Sequence, residues 1–179
     1  YKSNIFASLS YSDMPFVLAP NLWSKISFNK KNLELKERAH GDGIKISIES
    51  PEAFEEVFWK TFSHEEYEEL EDKFRIYVSN ILYKYKKGRY LSKNNQNIKR
   101  VELINSIFSN SKILVPFREP MQHAYSLLTQ HKKFIADAKN DNFISKYMKY
   151  IGHTEFGPNY IPIHKQNLNF PNDLEINHW

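Results

Sequence analysis

The order of apolar patterns along the chain predicts an α/β fold in which a short parallel sheet is flanked by helices, with helix in the majority. Two observations carry this. After Gly88 the pattern runs strand, helix, strand, helix over Arg89–Lys93, Asn97–Ser109, Lys112–Phe117 and Pro120–Ala138, the order expected of parallel strands joined by helical crossovers. Before Gly88 stand two segments that open with helix-start chemistry and continue with apolar residues at three- and four-residue steps. A chain of 179 residues with 41% hydrophobic and 15% aromatic residues is long and apolar enough for one domain, 1–179, with a sizeable core.

The elements are expected as follows. Residues 1–9 read as the end of a helix, broken by Ser12-Asp13-Met14-Pro15. Pro20 and Asn21 open a helix to about Lys30, with Leu22, Trp23 and Ile26 on its inner face. Region 36–88 begins polar; His40-Gly41-Asp42-Gly43 is a turn signal, and Lys45-Ile46-Ser47-Ile48 alternates as a short strand does. Ser50-Pro51-Glu52 predicts a helix start, since a hydroxyl can cap the free amides and proline suits the first helical position. Ala53, Phe54, Val57, Phe58 and Phe62 supply that helix's apolar side. Ser63-His64-Glu65-Glu66 predicts a capping box for a second helix. Its inner face is Tyr67, Leu70, Phe74, Tyr77, Val78, Ile81, Leu82 and Tyr85, and Gly88 is placed to close it. Over Asn97–Ser109 the inward residues are Ile98, Val101, Ile104 and Phe108. Pro116 lacks a ladder donor, so the strand Lys112–Phe117 belongs at an edge or loses its pairing near its end.

Composition narrows the chemistry. The chain has no cysteine, which excludes disulfides, thiolate metal sites and cysteine nucleophiles and fits a reducing, cytoplasmic setting. No apolar run reaches the ~18 residues of a bilayer span. The net charge of +4 is unevenly distributed: six acids lie within 65–72, and seven Lys or Arg with no acid within 84–100. Either this is a field for an anionic ligand or it is two solvated stretches of opposite sign. Tyr83, Tyr85 and Tyr90 interleave with the lysines as in single-strand nucleic-acid binders, but Tyr83 and Tyr85 also fit the core or rim of the preceding helix. Nucleic acid is therefore not the expected partner.

Ligands of parallel sheets gather at the carboxyl ends of the strands, and Lys93 and Arg118 fall at two such predicted ends. Arg118 precedes Ser126 by eight residues. A guanidinium at a strand end, followed by a helix that presents a hydroxyl from its side, can hold a phosphate. Pro120 pre-sets the helix start beside the anion, and Ser126 lies about two turns further in.

Lys93-Asn94-Asn95-Gln96-Asn97-Ile98-Lys99-Arg100, then Ser111–Phe117, then Arg118-Glu119-Pro120 through Ser126-Leu127-Leu128, resemble the PAPS-dependent sulfotransferase family, chiefly its bacterial members. The resemblance is firm over roughly 89–134 and looser over 36–62, where His-Gly-Asp-Gly and Ser-Pro-Glu-Ala-Phe-Glu-Glu are similar to the acceptor side of bacterial members. It implies a three-layer fold like that of the P-loop nucleotide enzymes, with a β-α-β-α donor core over 89–139. It further implies that Arg118 and Ser126 bind the 3′-phosphate of PAPS (3′-phosphoadenosine 5′-phosphosulfate), the sulfuryl donor, and that no metal is required. The partner would be a small-molecule, carbohydrate or peptide acceptor bearing a hydroxyl or amine.

Sulfuryl transfer, like loose phosphoryl transfer, depends mainly on positioning and on cations that neutralise the leaving oxygen. Lys93 is the candidate for that task, with Asn94 and Asn95 either orienting it or capping the next helix. For the proton of the attacking hydroxyl, His40 is the first candidate and Asp42 the second, beside a turn open enough for backbone to approach a ligand. His123 and His131 are expected on the surface or in packing, and no spacing singles out His153.

The chain departs from the family in one element. A glycine-bearing loop normally follows the first strand and cradles the 5′-phosphosulfate through backbone amides. None of the five glycines precedes a Lys-Ser or Arg-Ser pair. The expectation is a fragment whose parent begins ~30–40 residues earlier, enough for a strand, a loop and a helix. A small-molecule kinase on the same scaffold, or a non-catalytic nucleotide binder, is the alternative function.

Overall fold

The computed structural model describes residues 4–27, 34–37, 43–163, 174 and 179. It is a mixed helix and strand chain in two compact units, Tyr1–Asn95 and Gln96–Trp179.

The first unit contains a parallel pair, β1 (Phe6–Ala7) and β4 (Arg89–Tyr90), with Phe6 opposite Arg89 and Ala7 opposite Tyr90. Pairing continues past the strands, because the Leu91 amide donates to the Ala7 carbonyl at 2.9 Å. Of the helix end expected over 1–9, residues 1–3 lie outside the described residues and 4–9 are not helical: Phe6–Ala7 is extended, and the alternation buries Ala7 and Leu9 while Ser8 stays half-buried. Beyond β1 a tight turn of 3-10 helix, Tyr11–Asp13, carries a capping box between Ser10 and Asp13, and the chain then enters a cis Met14–Pro15 bond.

Helix α1 (Pro20–Ile26) starts at its proline as expected. Its inner face is Pro20 with half-buried Trp23, whose indole donates to the Ser12 carbonyl at 3.0 Å, whereas Leu22 and Ile26 are exposed. Seven residues make only about two turns, so the Trp23 indole bond, not periodicity, sets the docking face. An antiparallel hairpin pairs β2 (Lys36–Glu37) with β3 (Lys45–Ile46), the latter where alternation predicted it.

The helix expected from Ser50 begins later, as α2 (Glu55–Thr61). Ser50-Pro51-Glu52 is instead drawn out beside the continuation of β1. Pro51 forms an antiparallel bridge with Ser10, and the Glu52 amide donates to the Leu9 carbonyl at 2.9 Å. Proline suits either role, since it lacks only a donor that an edge position does not use; tertiary pairing decided between them.

Helix α3 (Tyr67–Tyr85) also starts past its expected cap. Ser63 donates to the Lys60 carbonyl at 3.1 Å and so serves the end of α2, while Glu65 takes the Lys73 ammonium at 2.7 Å. Phe74, Tyr77, Val78 and Ile81 of α3 are buried as predicted; Tyr67 is exposed. The helix closes on Lys86 in the left-handed region (φ 52°), two residues before Gly88. Two carbonyls, of Leu82 and Tyr83, receive the Lys86 amide, and these bonds offset the cost of a side chain at positive φ. The core between α2 and α3 is aromatic: Phe58 lies 5.1 Å from Phe74 and 5.0 Å from Tyr77, and Trp59 lies 4.4 Å from Phe74, ring centre to ring centre. Each such side chain contributes roughly 1.5–3 kcal/mol by leaving water.

The second unit follows a 3-10 segment, Asn95–Arg100, and is helical: α4 (Val101–Ile107), α5 (Pro120–Asn140) and α6 (Asn142–Ile151). The helix expected over Asn97–Ser109 is therefore split, with Ile107 buried at its centre of packing and Ile98 exposed. The expected buried strand Lys112–Phe117 is absent. The stretch is irregular and solvent-exposed, with Leu114 85%, Val115 80% and Phe117 86% accessible. A strand exists only by pairing, and all four described strands lie in the first unit. The parallel ladder that does form joins β4 to β1, which falls in the segment whose pattern predicts a helix end.

Helix α5 packs on α6 around Phe134, Met148 and Phe156, with Leu127, Ile144 and Trp179 alongside. Asp141 caps α6 by accepting from the Phe143 amide at 2.8 Å, and Gly152 ends it at φ 75°. Buried His131 on α5 accepts the Gly157 amide at its Nδ1, 2.9 Å away, and so is a packing histidine.

Candidate functional site

In the first unit, a cleft of about 90 Å³ opens at the carboxyl ends of β1 and β4. It is built from the residues just past both strands, from the strap before α2 and from the face of α3. Ser8 and Leu9 leave β1, Leu91, Ser92 and Lys93 leave β4, and Glu52 and Glu55 enter from the strap and from the first turn of α2. Parallel strands place their carboxyl ends on one side, so loops that leave them converge there.

Lys93 stands among these lining residues, exposed, with no ion pair or hydrogen bond to a described residue. Asn94 does not orient it; its amide donates to Glu56 Oε2 at 2.9 Å, tying the end of β4 to α2, while Asn95 begins the 3-10 segment.

Below the mouth lies Glu55, 3% exposed, a residue that no sequence expectation singles out. Its Oε2 accepts the Tyr90 hydroxyl at 2.7 Å and its Oε1 the Trp59 indole at 2.9 Å. A buried charge persists only when donors replace water, and both carboxylate oxygens are supplied. A signal existed in the chain: Glu55 and Trp59 are four apart and share a helix face, and a buried indole needs an acceptor. Tyr77, also buried and lining the cleft, has a hydroxyl with no hydrogen bond to a described residue. Burial, and next the Glu55 charge, push the Tyr77 and Tyr90 phenols well above their ordinary range, so both remain donors. Tyr90 neighbours the Tyr77 hydroxyl and opposes this shift, yet the pair lacks hydrogen-bonding geometry.

Behind β1, Asp13 is fully buried. It pairs with Lys84, accepts the Tyr85 hydroxyl at 2.5 Å and the Ser10 amide at 2.7 Å. This network holds the segment that leads from β1 to the cleft.

The predicted donor residues lie in the second unit. Arg118 is exposed, two residues before α5, and makes no ion pair or hydrogen bond to a described residue. It does not stand at a strand end, because the strand is absent. Ser126 is half-buried on α5, six residues past Pro120 and hence ~9 Å along the axis. The tip of α5 is already served: the Glu119 carboxylate accepts the Met121 and Gln122 amides at 3.2 and 2.6 Å. An anion at this helix must approach from its side, where Ser126 is.

His40 and Asp42 lie outside the described residues. No group of metal-binding side chains occurs among the described residues, and none of their helices is long and apolar enough to cross a membrane. No protein family, curated protein or solved structure matches the chain.

Proposed function

We propose that the chain belongs to a sulfotransferase of the PAPS-dependent kind, which moves a sulfuryl group from PAPS to a hydroxyl or amine acceptor. The observation that carries the reading is the position of Lys93: an unengaged ammonium beside a cleft at the carboxyl ends of a parallel strand pair. A P-loop-like arrangement of the sheet belongs to this proposal, as does a cytoplasmic setting.

In the proposed reaction the acceptor oxygen attacks sulfur in line. The new S–O bond forms as the bond to the bridging 5′-phosphate oxygen breaks, and negative charge grows on that oxygen. Lys93 neutralises it, while the acceptor proton passes to His40 or, failing that, Asp42. Arg118 grips the 3′-phosphate with its planar fork, and Ser126 donates from the flank of α5. The capped tip of α5 supports this flank approach, since it leaves the side-chain donors to hold the anion.

Calorimetry with adenosine 3′,5′-bisphosphate, the desulfated product, tests the reading. Binding without magnesium, weakened about 10–100-fold in Arg118→Ala, is the expected result. Magnesium-dependent ATP binding in its place would point to a kinase, and salt-sensitive oligonucleotide binding without nucleotide affinity to a nucleic-acid module.

A further inference from the structure

We infer that residues 113–117 are a self-association strand, which pairs antiparallel with the same segment of a second copy of this chain and places Leu114 on the two-fold axis. The inference is independent of the sulfuryl-transfer reading.

Two features of the segment meet here. Its backbone is unpaired: no residue of 112–118 has a hydrogen bond to a described residue, although each carries a carbonyl and each but Pro116 an amide donor. Its side chains are apolar and exposed. Ile113, Leu114, Val115 and Phe117, followed on α5 by Met121 and Tyr125, are between 41% and 86% accessible. At ~150–250 Å² for an aromatic side chain and less for an aliphatic one, together they present on the order of 800 Å², about what each partner contributes to a standard interface. A monomer rarely carries an apolar patch of that size. The chain is also biased toward extended backbone here, by β-branched Ile113 and Val115 and by the restraint that Pro116 places on Val115.

The order of residues selects a second copy as the occupant. Antiparallel strands alternate between opposed pairs that exchange amide–carbonyl bonds and pairs that do not. With Leu114 opposite Leu114 as a non-bonded pair, Ile113 and Val115 of each copy exchange bonds with Val115 and Ile113 of the other. Pro116 then faces Lys112 in a non-bonded pair, where its missing N–H costs nothing. Arg118 falls opposite Asn110, so no two like charges are directly opposed. Centring the pair on Val115 instead sets Lys112 against Arg118, two cations face to face. In the favoured register Ile113, Val115 and Phe117 share one face of each strand, and the two copies join their apolar rows. That shared burial is what a two-stranded ribbon needs, since its hydrogen bonds alone leave it marginal.

A chain without cysteine lets the register be read by crosslinking. Leu114→Cys places two thiols in a non-bonded pair, the closest cross-strand position, and should give a disulfide dimer on mild oxidation, seen on a non-reducing gel. Phe117→Cys lies opposite Ser111, with its counterpart ~20 Å away along the ribbon, and should stay uncrosslinked. In sedimentation the intact chain should pass from monomer to dimer as its concentration rises through about 1–100 μM. Leu114→Lys opposes two ammoniums at the axis and should weaken that step at least about tenfold, with the melting temperature of the dilute monomer unchanged because Leu114 is exposed. A chain that is monomeric at every concentration, a dimer indifferent to Leu114→Lys, or cysteine variants that crosslink equally or not at all would overturn the inference and leave the segment to a different partner. So would a lower melting temperature or failure to fold of Leu114→Lys, which would show that Leu114 is covered within one chain.

Discussion

The Tyr90 hydroxyl donates to Glu55 Oε2 across 2.7 Å, joining the last residue of β4 to the first residue of α2. This contact shapes the floor of the cleft, because the carboxylate that receives it also receives the Trp59 indole. Glu55→Ala removes the acceptor of both buried donors. Stability should fall by about 3 kcal/mol in urea titration, with a red-shifted Trp59 emission as the indole seeks water. Tyr90→Phe removes one bond and should cost about 1–2 kcal/mol.

Lys93 is exposed and makes no ion pair or hydrogen bond to a described residue. On the proposed sulfuryl-transfer reading, Lys93→Ala should leave the melting temperature unchanged while lowering turnover with PAPS about 10²–10³-fold. An unchanged kcat would remove Lys93 from the proposed chemistry.

Asp13 is the only carboxylate among the described residues with no exposure at all, and three groups depend on it: Lys84, Tyr85 and the Ser10 amide. Asp13→Ala strands a mostly buried ammonium and a hydroxyl. The expected loss is about 3–5 kcal/mol, whereas Lys84→Met, which keeps the stem's packing, should cost less. Denaturant midpoints of the two variants check the order.

The first unit should be sensitive to alkali. Tyr77, Tyr85 and Tyr90 all carry phenols raised above the ordinary value of 10.0, first by burial and then by the charge of Glu55 or Asp13. A group raised in the folded state keeps its proton where the unfolded chain has lost it. Its stabilising effect is therefore complete below about pH 10 and declines as pH climbs further. Absorbance at the phenolate band during alkaline titration should show these tyrosines ionising together with unfolding, after the exposed ones.

Gly157 lies at φ 86°, and a β-carbon there would meet Met148 Cε and Phe134 Cβ at 3.1 Å. Its amide also supplies His131 Nδ1. Gly157→Ala combines positive-φ strain with a crowded core and should lower stability by about 1–3 kcal/mol, read by thermal unfolding.

Much of this architecture was legible from side-chain spacing. The inner face of α3, the start of α5 at Pro120, the short strand at Lys45 and the extended stretch at Arg89 all follow from local periodicity and caps. Lys93 was legible as a cation just past a strand, and Arg118 and Ser126 as a spaced pair at the head of a long helix. Two misses at helix starts were choices between two equally good uses of one motif. Ser50-Pro51-Glu52 can cap a helix or lie beside a strand, and Ser63 can open α3 or close α2.

By itself the sequence determined which residues are apolar at helical steps, which charges lie past extended runs, and that thiol chemistry is excluded. Only the tertiary structure decided that β4 pairs with β1, that Glu55 and Tyr77 are buried in one cleft with Lys93 at its rim, and that Ile113–Phe117 has no ladder. The reason is physical. A helix satisfies its own backbone, so its signals are local, whereas a strand and a buried carboxylate are each defined by partners remote in the chain.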